Sequence, residues 1–216
     1  MKVGTDGVLL GAWANVEDAT HILDMGCGTG LLSLMAAQRN SEAWITAAEL
    51  DDDAAQQALE NAVASPWSHR ITVLHTDVLS SVFAKQFDCI VCNPPYFTAE
   101  VLPPDKARTL ARHNTEGFET WLETAFNLCS NTGNAHFIFP IEQKQAMLDY
   151  LSASFWHIHR ICDVIPNDTK PAVRFLVELC KEPCQTQCSS LQIETGTRGN
   201  YHPEYKSLTA NFYLWA

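Results

Sequence analysis

Asp24-Met25-Gly26-Cys27-Gly28-Thr29-Gly30 is the stretch that decides the fold, because an apolar run precedes it and a helical stretch follows it. Glycines at 26 and 28 permit a tight turn and let the backbone approach a ligand where a Cβ would collide. A strand, a glycine loop and a helix in this order are typical of a nucleotide-binding crossover. Glu49, at the end of the next predicted strand, is placed to accept hydrogen bonds from two ribose hydroxyls.

The chain on both sides of this loop alternates short apolar runs with longer helical stretches. The pattern predicts seven strands, over 21–25, 44–50, 71–75, 87–92, 135–139, 155–164 and 173–180. It predicts helices over 31–39, 51–64, 118–129 and 142–152, and an earlier one with Thr5 or Asp6 as its N-cap. Strands that alternate with helices indicate an α/β fold with a doubly wound, mostly parallel seven-stranded sheet. The last two strands lie close together in sequence, which predicts an antiparallel C-terminal return.

Composition limits the class of protein. The chain has 216 residues, of which 46% are hydrophobic and 18% are charged, so it can bury a sizeable core. We expect one domain over 1–216. The formal net charge of −11 argues against a generally basic nucleic-acid binder. No apolar run approaches the roughly 20 residues that span a bilayer.

The cysteines and histidines do not form a recognisable metal site. Cys89 and Cys92 lie three apart within an apolar strand, so their side chains point to opposite faces. Three further cysteines run from a strand end into a loop rich in Gln and Ser: Cys180, Cys184 and Cys188. His157 and His159 share a strand face, which is too few ligands for a site. We expect no metal, reduced thiols and a cytoplasmic protein.

Asn93-Pro94-Pro95-Tyr96 lies at the carboxyl end of the fourth strand, where open α/β sheets hold their ligands. An aromatic exocyclic amine is a poor nucleophile because its lone pair is delocalised into the ring. If the Asn93 side-chain oxygen and the Pro94 carbonyl each accept one amine hydrogen, the nitrogen becomes more tetrahedral and its lone pair can attack. Tyr96 and Phe97 offer faces for stacking the base. The motif therefore predicts N-methylation of a planar amino group.

The glycine loop and this tetrad together resemble motifs I and IV of class I S-adenosylmethionine-dependent N-methyltransferases. A dinucleotide fingerprint would place Gly at position 31, where this chain has Leu31. The resemblance implies S-adenosylmethionine as the cofactor and the Rossmann-like fold of that class. It implies catalytic roles for Asn93, Pro94, Pro95 and Tyr96. The residues implied at the cofactor are Lys2, Thr5, Asp6, Asp24, Gly26, Cys27, Gly28, Gly30, Glu49, Leu50, Asp77, Val78 and Asn93.

The likeness extends to the chain ends. The opening residues 1–13, Met-Lys-Val-Gly-Thr-Asp-Gly-Val-Leu-Leu-Gly-Ala-Trp, are similar to those of bacterial tRNA (adenine-N6)-methyltransferases that act beside the anticodon of valine tRNA. Further similar stretches are Ser65-Pro66-Trp67, Arg174-Phe175-Leu176 and Phe212-Tyr213-Leu214, with Tyr205 and Leu208 before the last. The resemblance implies N6-methylation of adenosine 37. Members of that family carry a short segment before the opening motif, which this sequence lacks.

A local basic run reconciles the acidic charge with an RNA substrate. The residues after position 100 carry 10 of the 14 Lys and Arg side chains. No acid stands between Lys106 and Thr115. We interpret this segment, which follows the Asn-Pro-Pro-Tyr motif, as a grip on the phosphates that flank the target base. The predicted substrate-binding residues are Tyr96, Phe97, Lys106, Arg108, Arg112 and His113. We expect a monomer without a membrane partner.

Other functions share parts of this pattern. A glutamine methyltransferase acting on release factors carries the same tetrad, but such enzymes add an N-terminal helical domain, for which this chain has no room. DNA adenine methyltransferases usually add a target-recognition region. A catalytically silent, cofactor-binding partner of a heterodimer would have no need of Asn93, Pro94 and Tyr96. A nicotinamide oxidoreductase is disfavoured by Leu31.

Charge reversal at Arg108 and Arg112 tests the basic run. We expect the Arg108→Glu, Arg112→Glu variant to show a raised Michaelis constant for tRNA, because two phosphate contacts become repulsive. The measurement is methyl transfer at varied tRNA concentration. Unchanged tRNA kinetics would mean that the segment is only a solvated loop.

Overall fold

The computed structural model describes residues 4–95 and 117–214. Eight strands lie within these residues: β1 (His21–Met25), β2 (Trp44–Glu49), β3 (Ile71–His75), β4 (Phe87–Cys92), β5 (Cys129–Pro140), β6 (His157–Ile165), β7 (Arg174–Cys180) and β8 (Gln187–Gln192). Six α-helices accompany them: α1 (Thr5–Trp13), α2 (Leu31–Arg39), α3 (Asp52–Ala64), α4 (Phe118–Leu128), α5 (Lys144–Ser152) and α6 (Pro203–Leu208). Short 3₁₀ turns occupy Ser68–Arg70 and Ile141–Gln143.

The strands form a single sheet in the order β3-β2-β1-β4-β5-β7-β6-β8. The chain winds outward from β1 to β3 and returns to place β4 on the other side of β1, and β1 pairs in parallel with both β2 and β4. Strand β7 runs antiparallel to β5 and β6, which confirms the predicted return. The reversal of strand order between β1 and β4 creates the crevice at which α/β proteins bind ligands.

The predicted strand number was wrong, because the sheet has eight strands rather than seven. The additional strand, β8, was predicted as a loop from its Gln and Ser residues. Four of its six residues are exposed, so its sequence shows no apolar run. Its backbone pairs in parallel with β6 over Arg160–Ile165, and this pairing alone defines the strand. An edge strand can be polar because water covers its free side.

Helices cover both faces of the sheet. On one face, α4 and α5 contribute Trp121, Leu122 and Met147 to a core that includes Phe137 and Phe139. On the other face, α1, α2 and α6 pack buried side chains against the sheet, namely Leu9, Leu10, Leu32, Ala36 and Tyr205. The doubly wound architecture is therefore confirmed. The described helices include none that is long and apolar enough to span a membrane.

The start of α1 differs from the prediction. The N-cap is Gly4, whose carbonyl accepts from Val8 N, and neither Thr5 nor Asp6 caps the helix. Asp6 instead lies in the first turn, and its carboxylate accepts a hydrogen bond from Arg174 Nε on β7 at 2.9 Å. The Asp6 carboxylate therefore forms an ion pair with a distant strand and does not cap its own helix. In α3, by contrast, Asp51 accepts from Ala54 N at 2.9 Å and caps the helix as an Asp normally does.

Strand β5 begins six residues earlier than predicted, at Cys129, although Ser-Asn-Thr-Gly follows it. The pairing of β4 with β5 contains a register shift between Phe87 and Cys89. Gly133 lies at this irregularity, and a Cβ there would come within 2.8 Å of the Asp88 carbonyl oxygen. The glycine thus allows a close backbone contact and does not mark a turn.

The cysteines take two kinds of position. Cys89 and Cys92 are buried in the cores on opposite faces of the sheet, as the sequence predicts. Beyond β7, the Sγ atoms of Cys180 and Cys184 lie 3.3 Å apart at the protein surface. Over the described ranges, no group of three His, Cys, Asp or Glu residues is arranged to hold a metal ion.

A buried acid connects β7 with β6 and α1. Glu178 is fully buried, and its carboxylate accepts from Arg160 Nε at 2.5 Å and contacts His159 Nδ1 at 2.8 Å. The pairing of β6 with β7 has a register shift between Ile158 and Arg160. Because of this shift, the consecutive residues His159 and Arg160 both reach the Glu178 carboxylate. The strict alternation of side chains, from which His157 and His159 were predicted to share one face, is therefore interrupted here. Burial by itself would raise the pKa of Glu178, but His136, His159 and Arg160 outweigh it and hold the pKa at about 2.

Arg160 also extends to α1. Its guanidinium lies 4.2 Å from the ring centroid of Trp13, and its Nη2 donates to the Trp13 carbonyl at 3.3 Å. This carbonyl is at the negative end of the α1 dipole, where a cation is favourable. Glu178 therefore holds Arg160 against the last turn of the helix.

Removal of Glu178 tests this anchor. We expect Glu178→Ala to lower the free energy of unfolding by about 3 kcal/mol, since it leaves Arg160 without its counter-charge inside the protein. The control is Asp163→Ala, which breaks a half-exposed pair with Lys144 and is expected to cost about 1 kcal/mol or less. Urea denaturation measures both. Equal losses in the two variants would contradict the anchoring role.

Candidate active site

The glycine loop follows β1 in a backbone conformation that requires glycine. Gly26, Gly28 and Gly30 have φ values of +69°, +56° and +82°, all in the left-handed region. Gly26 N and Cys27 N both donate to the Ala48 carbonyl on β2, at 2.9 and 3.0 Å. The loop is therefore tied to the end of the neighbouring strand and curves above the carboxyl ends of β1 and β2.

Glu49, the last residue of β2, holds this loop through its carboxylate. Its Oε2 accepts from Gly28 N at 2.8 Å, and its Oε1 accepts from Leu50 N and Asp51 N at 2.9 Å each. A carboxylate offers about four acceptor sites, two on each oxygen, so these three bonds leave one site, on Oε2, for a ligand hydroxyl. The side chain is half-buried at the rim of the crevice.

Asp24 lies beneath the loop and is fully buried. Its Oδ2 accepts from both the backbone N and the Oγ of Ser33, at 3.0 and 2.7 Å, while its Oδ1 is buried and has no hydrogen-bond partner within residues 4–95 and 117–214. Burial raises the pKa of Asp24 to about 7; the bonds from Ser33 oppose this rise, and the charge of Glu49 adds to it. An acid at this position attaches the first turn of α2 to the end of β1.

Asn93-Pro94-Pro95 lies next to the glycine loop. Met25 on β1 pairs with Cys92 on β4, so the residues that follow them, Gly26 and Asn93, leave adjacent strands at the same level. Parallel strands are about 4.8 Å apart. The structure thus brings two motifs that are 67 positions apart in sequence to one end of the sheet.

Other residues of the predicted cofactor set lie around the same edge. Thr5 and Asp6 are in the first turn of α1, where Asp6 is held by Arg174. Asp77 follows β3 and accepts from Leu79 N at 3.0 Å, and Val78 packs into the core. Leu50 is half-buried beside Glu49.

The match with known proteins decides the family. Residues 4–119 match the family model described as methyltransferase small domain. Two relatives carry the name tRNA1(Val) (adenine(37)-N6)-methyltransferase. The one from Vibrio parahaemolyticus is 40% identical, and the match covers 99% of this chain and 89% of the relative. The one from Aliivibrio fischeri is 41% identical, and the match covers 99% of this chain and 91% of the relative. The chain belongs to the tRNA1(Val) (adenine(37)-N6)-methyltransferase family.

Solved structures of low sequence identity share the fold. A protein described as a predicted O-methyltransferase from Agrobacterium tumefaciens has a TM-score of 0.72 at 21% identity, and the match covers 95% of this chain and 96% of that one. An S-adenosylmethionine-dependent O-methyltransferase from Thermotoga maritima has a TM-score of 0.59 at 15% identity, covering 87% and 68%. At these identities the likeness concerns only the Rossmann-like fold.

As a member of this family, the chain is a methyltransferase whose cofactor is S-adenosylmethionine. The residues at the crevice fit that cofactor. The left-handed glycine loop offers backbone where side chains would intrude, and Glu49 suits a ribose hydroxyl. Within the described residues Oδ1 of Asp24 has no hydrogen-bond partner, and this carboxyl, when ionised, would favour a cationic sulfonium nearby. A direct contact between Asp24 and the cofactor stays a prediction.

Several predicted site residues fall outside the part of the chain that the structure describes. They are Lys2 of the cofactor set, Tyr96 of the tetrad, and the substrate set Phe97, Lys106, Arg108, Arg112 and His113. Their roles stay predictions.

Two residues that contact the predicted cofactor residues had no recognisable sequence signal. Trp121 on α4 lies against the glycine loop, since a Cβ on Gly26 would be 3.3 Å from its ring. Ser33 supplies both donors to Asp24. Arg174 stood out only as part of a family-like stretch, and the structure shows that it holds Asp6.

The raised pKa of Asp24 predicts a pH-dependent stability. Between about pH 4 and pH 7 the folded protein keeps a proton on Asp24 that the unfolded chain releases, so the free energy of unfolding falls as pH rises through this window. We expect Asp24→Asn to abolish this decrease, which amounts to roughly 4 kcal/mol. Urea denaturation at pH 4–8 without cofactor measures it. A control, Asp163→Asn on β6, should keep the wild-type dependence of the free energy of unfolding on pH. If Asp24→Asn also kept that dependence, Asp24 would not be the group that causes it.

Proposed function

We propose that this methyltransferase transfers a methyl group from S-adenosylmethionine to N6 of adenosine 37 in the anticodon loop of valine tRNA. The observation that carries the proposal is the adjacency of Asn93-Pro94 to the glycine loop, which follows from the pairing of Met25 with Cys92. The names of the relatives, at 40% identity over nearly the whole chain, supply the substrate.

The main task of the site is to align the amine nitrogen of the substrate with the methyl group of the cofactor. S-adenosylmethionine, when bound, provides a methyl group activated by the sulfonium. The side-chain oxygen of Asn93 and the carbonyl of Pro94 would each accept a hydrogen from the adenine amine, which directs its lone pair toward the methyl group. Orientation of this kind contributes on the order of 7–11 kcal/mol at best. The proton can leave after the new C–N bond has formed, so no strong base is needed.

Rigid backbone suits Asn93 and Pro94 to this role. Pro94 is buried and Asn93 is half-buried, directly after a strand whose last four residues are buried. The ring of Pro94 fixes its φ angle, and the ring of Pro95 restricts ψ of the residue before it, so the carbonyl of Pro94 has little freedom to turn away. In the proposed complex, Tyr96 stacks on the adenine.

Adenosine 37 is a suitable target because it lies in a single-stranded loop. A base in such a loop can be splayed out at low cost and recognised on its Watson–Crick edge. Recognition of the amine from two acceptors requires access to that edge. We further propose that residues 1–216 act as one domain, as a monomer in the cytoplasm.

Truncation of Asn93 tests the catalytic role. We expect Asn93→Ala to lower kcat by about 10²-fold, as loss of one positioned hydrogen-bonding group in an active site does. The matched control is Asn127→Ala, which makes the same chemical change at an exposed position on α4. The assay measures transfer of labelled methyl from S-adenosylmethionine to unmodified tRNA, followed by digestion to nucleosides.

Duplex DNA and release factor are assayed in parallel. Label in N6-methyladenosine from tRNA alone is the expected result. Label in release factor or DNA would keep the mechanism and overturn the substrate. Equal rates for wild type and Asn93→Ala would overturn the assigned role of the tetrad.

A further inference from the structure

A second site lies on the same edge of the sheet as Asn93, beyond the antiparallel return. Strands β6 and β8 end at this edge because they run in the same direction as β4 and β5. The segments that follow them, together with α6 and the start of α1, border an open cavity of about 590 Å³. Its lining includes Thr5, Pro166, Ile193, Tyr201, Tyr205 and Tyr213.

Tyrosine rings form one side of this cavity, which we call the tyrosine pocket. Tyr201 stacks on Tyr205 with ring centroids 5.6 Å apart, and Tyr205 meets Tyr213 at 6.4 Å. Tyr205 is buried and anchors the group, whereas Tyr201 and Tyr213 are half-exposed. Partly exposed aromatic faces at a cavity are what single-stranded nucleic acids use for base stacking.

Cations lie at and near the pocket, whose lining also contains the acid Glu194. Lys206 lines it, and Lys170 and Arg198 are exposed on the two loops that follow β6 and β8. A hydrogen bond joins these loops, because Asp168 accepts from Gly196 N at 2.6 Å. Asp168 is two positions before Lys170, and Gly196 is two positions before Arg198. Among the residues that the structure describes, Lys170 and Arg198 form no ion pair.

The acids of the same loops are engaged by their own backbone. Asp168 accepts from Gly196 N and from Gln192, and these bonds lower its pKa. Glu194 accepts from Gly199 N at 2.9 Å. Asp168 and Glu194 keep their negative charge, but their carboxylates are bonded to donors of these loops, while Lys170 and Arg198 are exposed. Lys206, Lys170 and Arg198 are thus three cations in or near the lining of one pocket, on a protein whose net charge is −11.

The position of the pocket selects its ligand. Between β4 and β6 lie three strand spacings, and between β4 and β8 four, so the pocket is roughly 14–19 Å from the strand that carries Asn93. A polyanion that presents one base at Asn93 and unpaired bases nearby would reach it. We propose that the tyrosine pocket binds the anticodon stem-loop of the tRNA substrate, with a loop base stacked on Tyr201 or Tyr213 and phosphates held by Lys170 and Arg198. This inference rests on the proposed function.

Equilibrium binding over a range of salt concentrations tests the pocket. The probe is unmodified valine tRNA with S-adenosylhomocysteine present, and the variants are Lys170→Ala, Arg198→Ala and their combination. Each lost phosphate contact should make the plot of log affinity against log salt shallower by about 1, and the double variant should bind about tenfold more weakly. Tyr201→Ala should weaken binding with no change in that slope, because stacking releases no counterions.

The control is Lys85→Ala. Lys85 is an exposed cation before β4, at the opposite edge of the sheet, and it too has no ion pair among the described residues. We expect it to leave both the affinity and the slope unchanged. The proposal would be wrong if the double variant kept the affinity and the salt slope of the wild type. It would also be wrong if Lys85→Ala lost as much affinity as the double variant.

Failure of the proposed function would look different. In that case the wild-type protein would neither bind nor methylate tRNA, and the proposal for the pocket would fall with it. If the wild-type protein methylates tRNA and the variants at Lys170 and Arg198 bind like it, only the pocket is wrong.

Discussion

The parallel pairing of β1 with β4 is the constraint on which the rest of the site depends. It brings the glycine loop and Asn93 to the same end of the sheet, with Met25 and Cys92 in register. The order of strands reverses at this pair, and such a reversal is where α/β proteins bind their ligands. The same pairing buries the last residues of both strands and fixes the backbone from which each motif emerges.

Three acids show how differently one chemical group is used here. Glu49 is half-buried and arranges the loop backbone through three hydrogen bonds. Asp24 is buried with too few donors, and its pKa rises to about 7. Glu178 is equally buried but is surrounded by Arg160 and two histidines, and its pKa falls to about 2. The supply of donors and cations around each carboxylate, rather than burial by itself, decides its charge.

Helix α1 is attached to the C-terminal strands at both ends, by an ion pair in its first turn and by a hydrogen bond in its last. Arg174 on β7 holds Asp6 in the first turn, and Arg160 on β6, itself bound to Glu178, holds the Trp13 carbonyl in the last. These contacts join the N-terminal segment, the active-site edge and the antiparallel return. The start of α1 also borders the tyrosine pocket, since Thr5 lines it.

The sequence by itself determined the elements whose signals are local: β1, β3 and β4 through apolar runs, and the glycine loop through backbone that only glycine adopts readily. It also placed Glu49 and Asn93 at strand ends. Only the tertiary structure decided β8, which is polar and exists through pairing with β6, and the partners of Asp6 and Asp24. Asp6 and Arg174 are 168 positions apart, and no local pattern encodes which distant side chains the packed sheet will bring into contact.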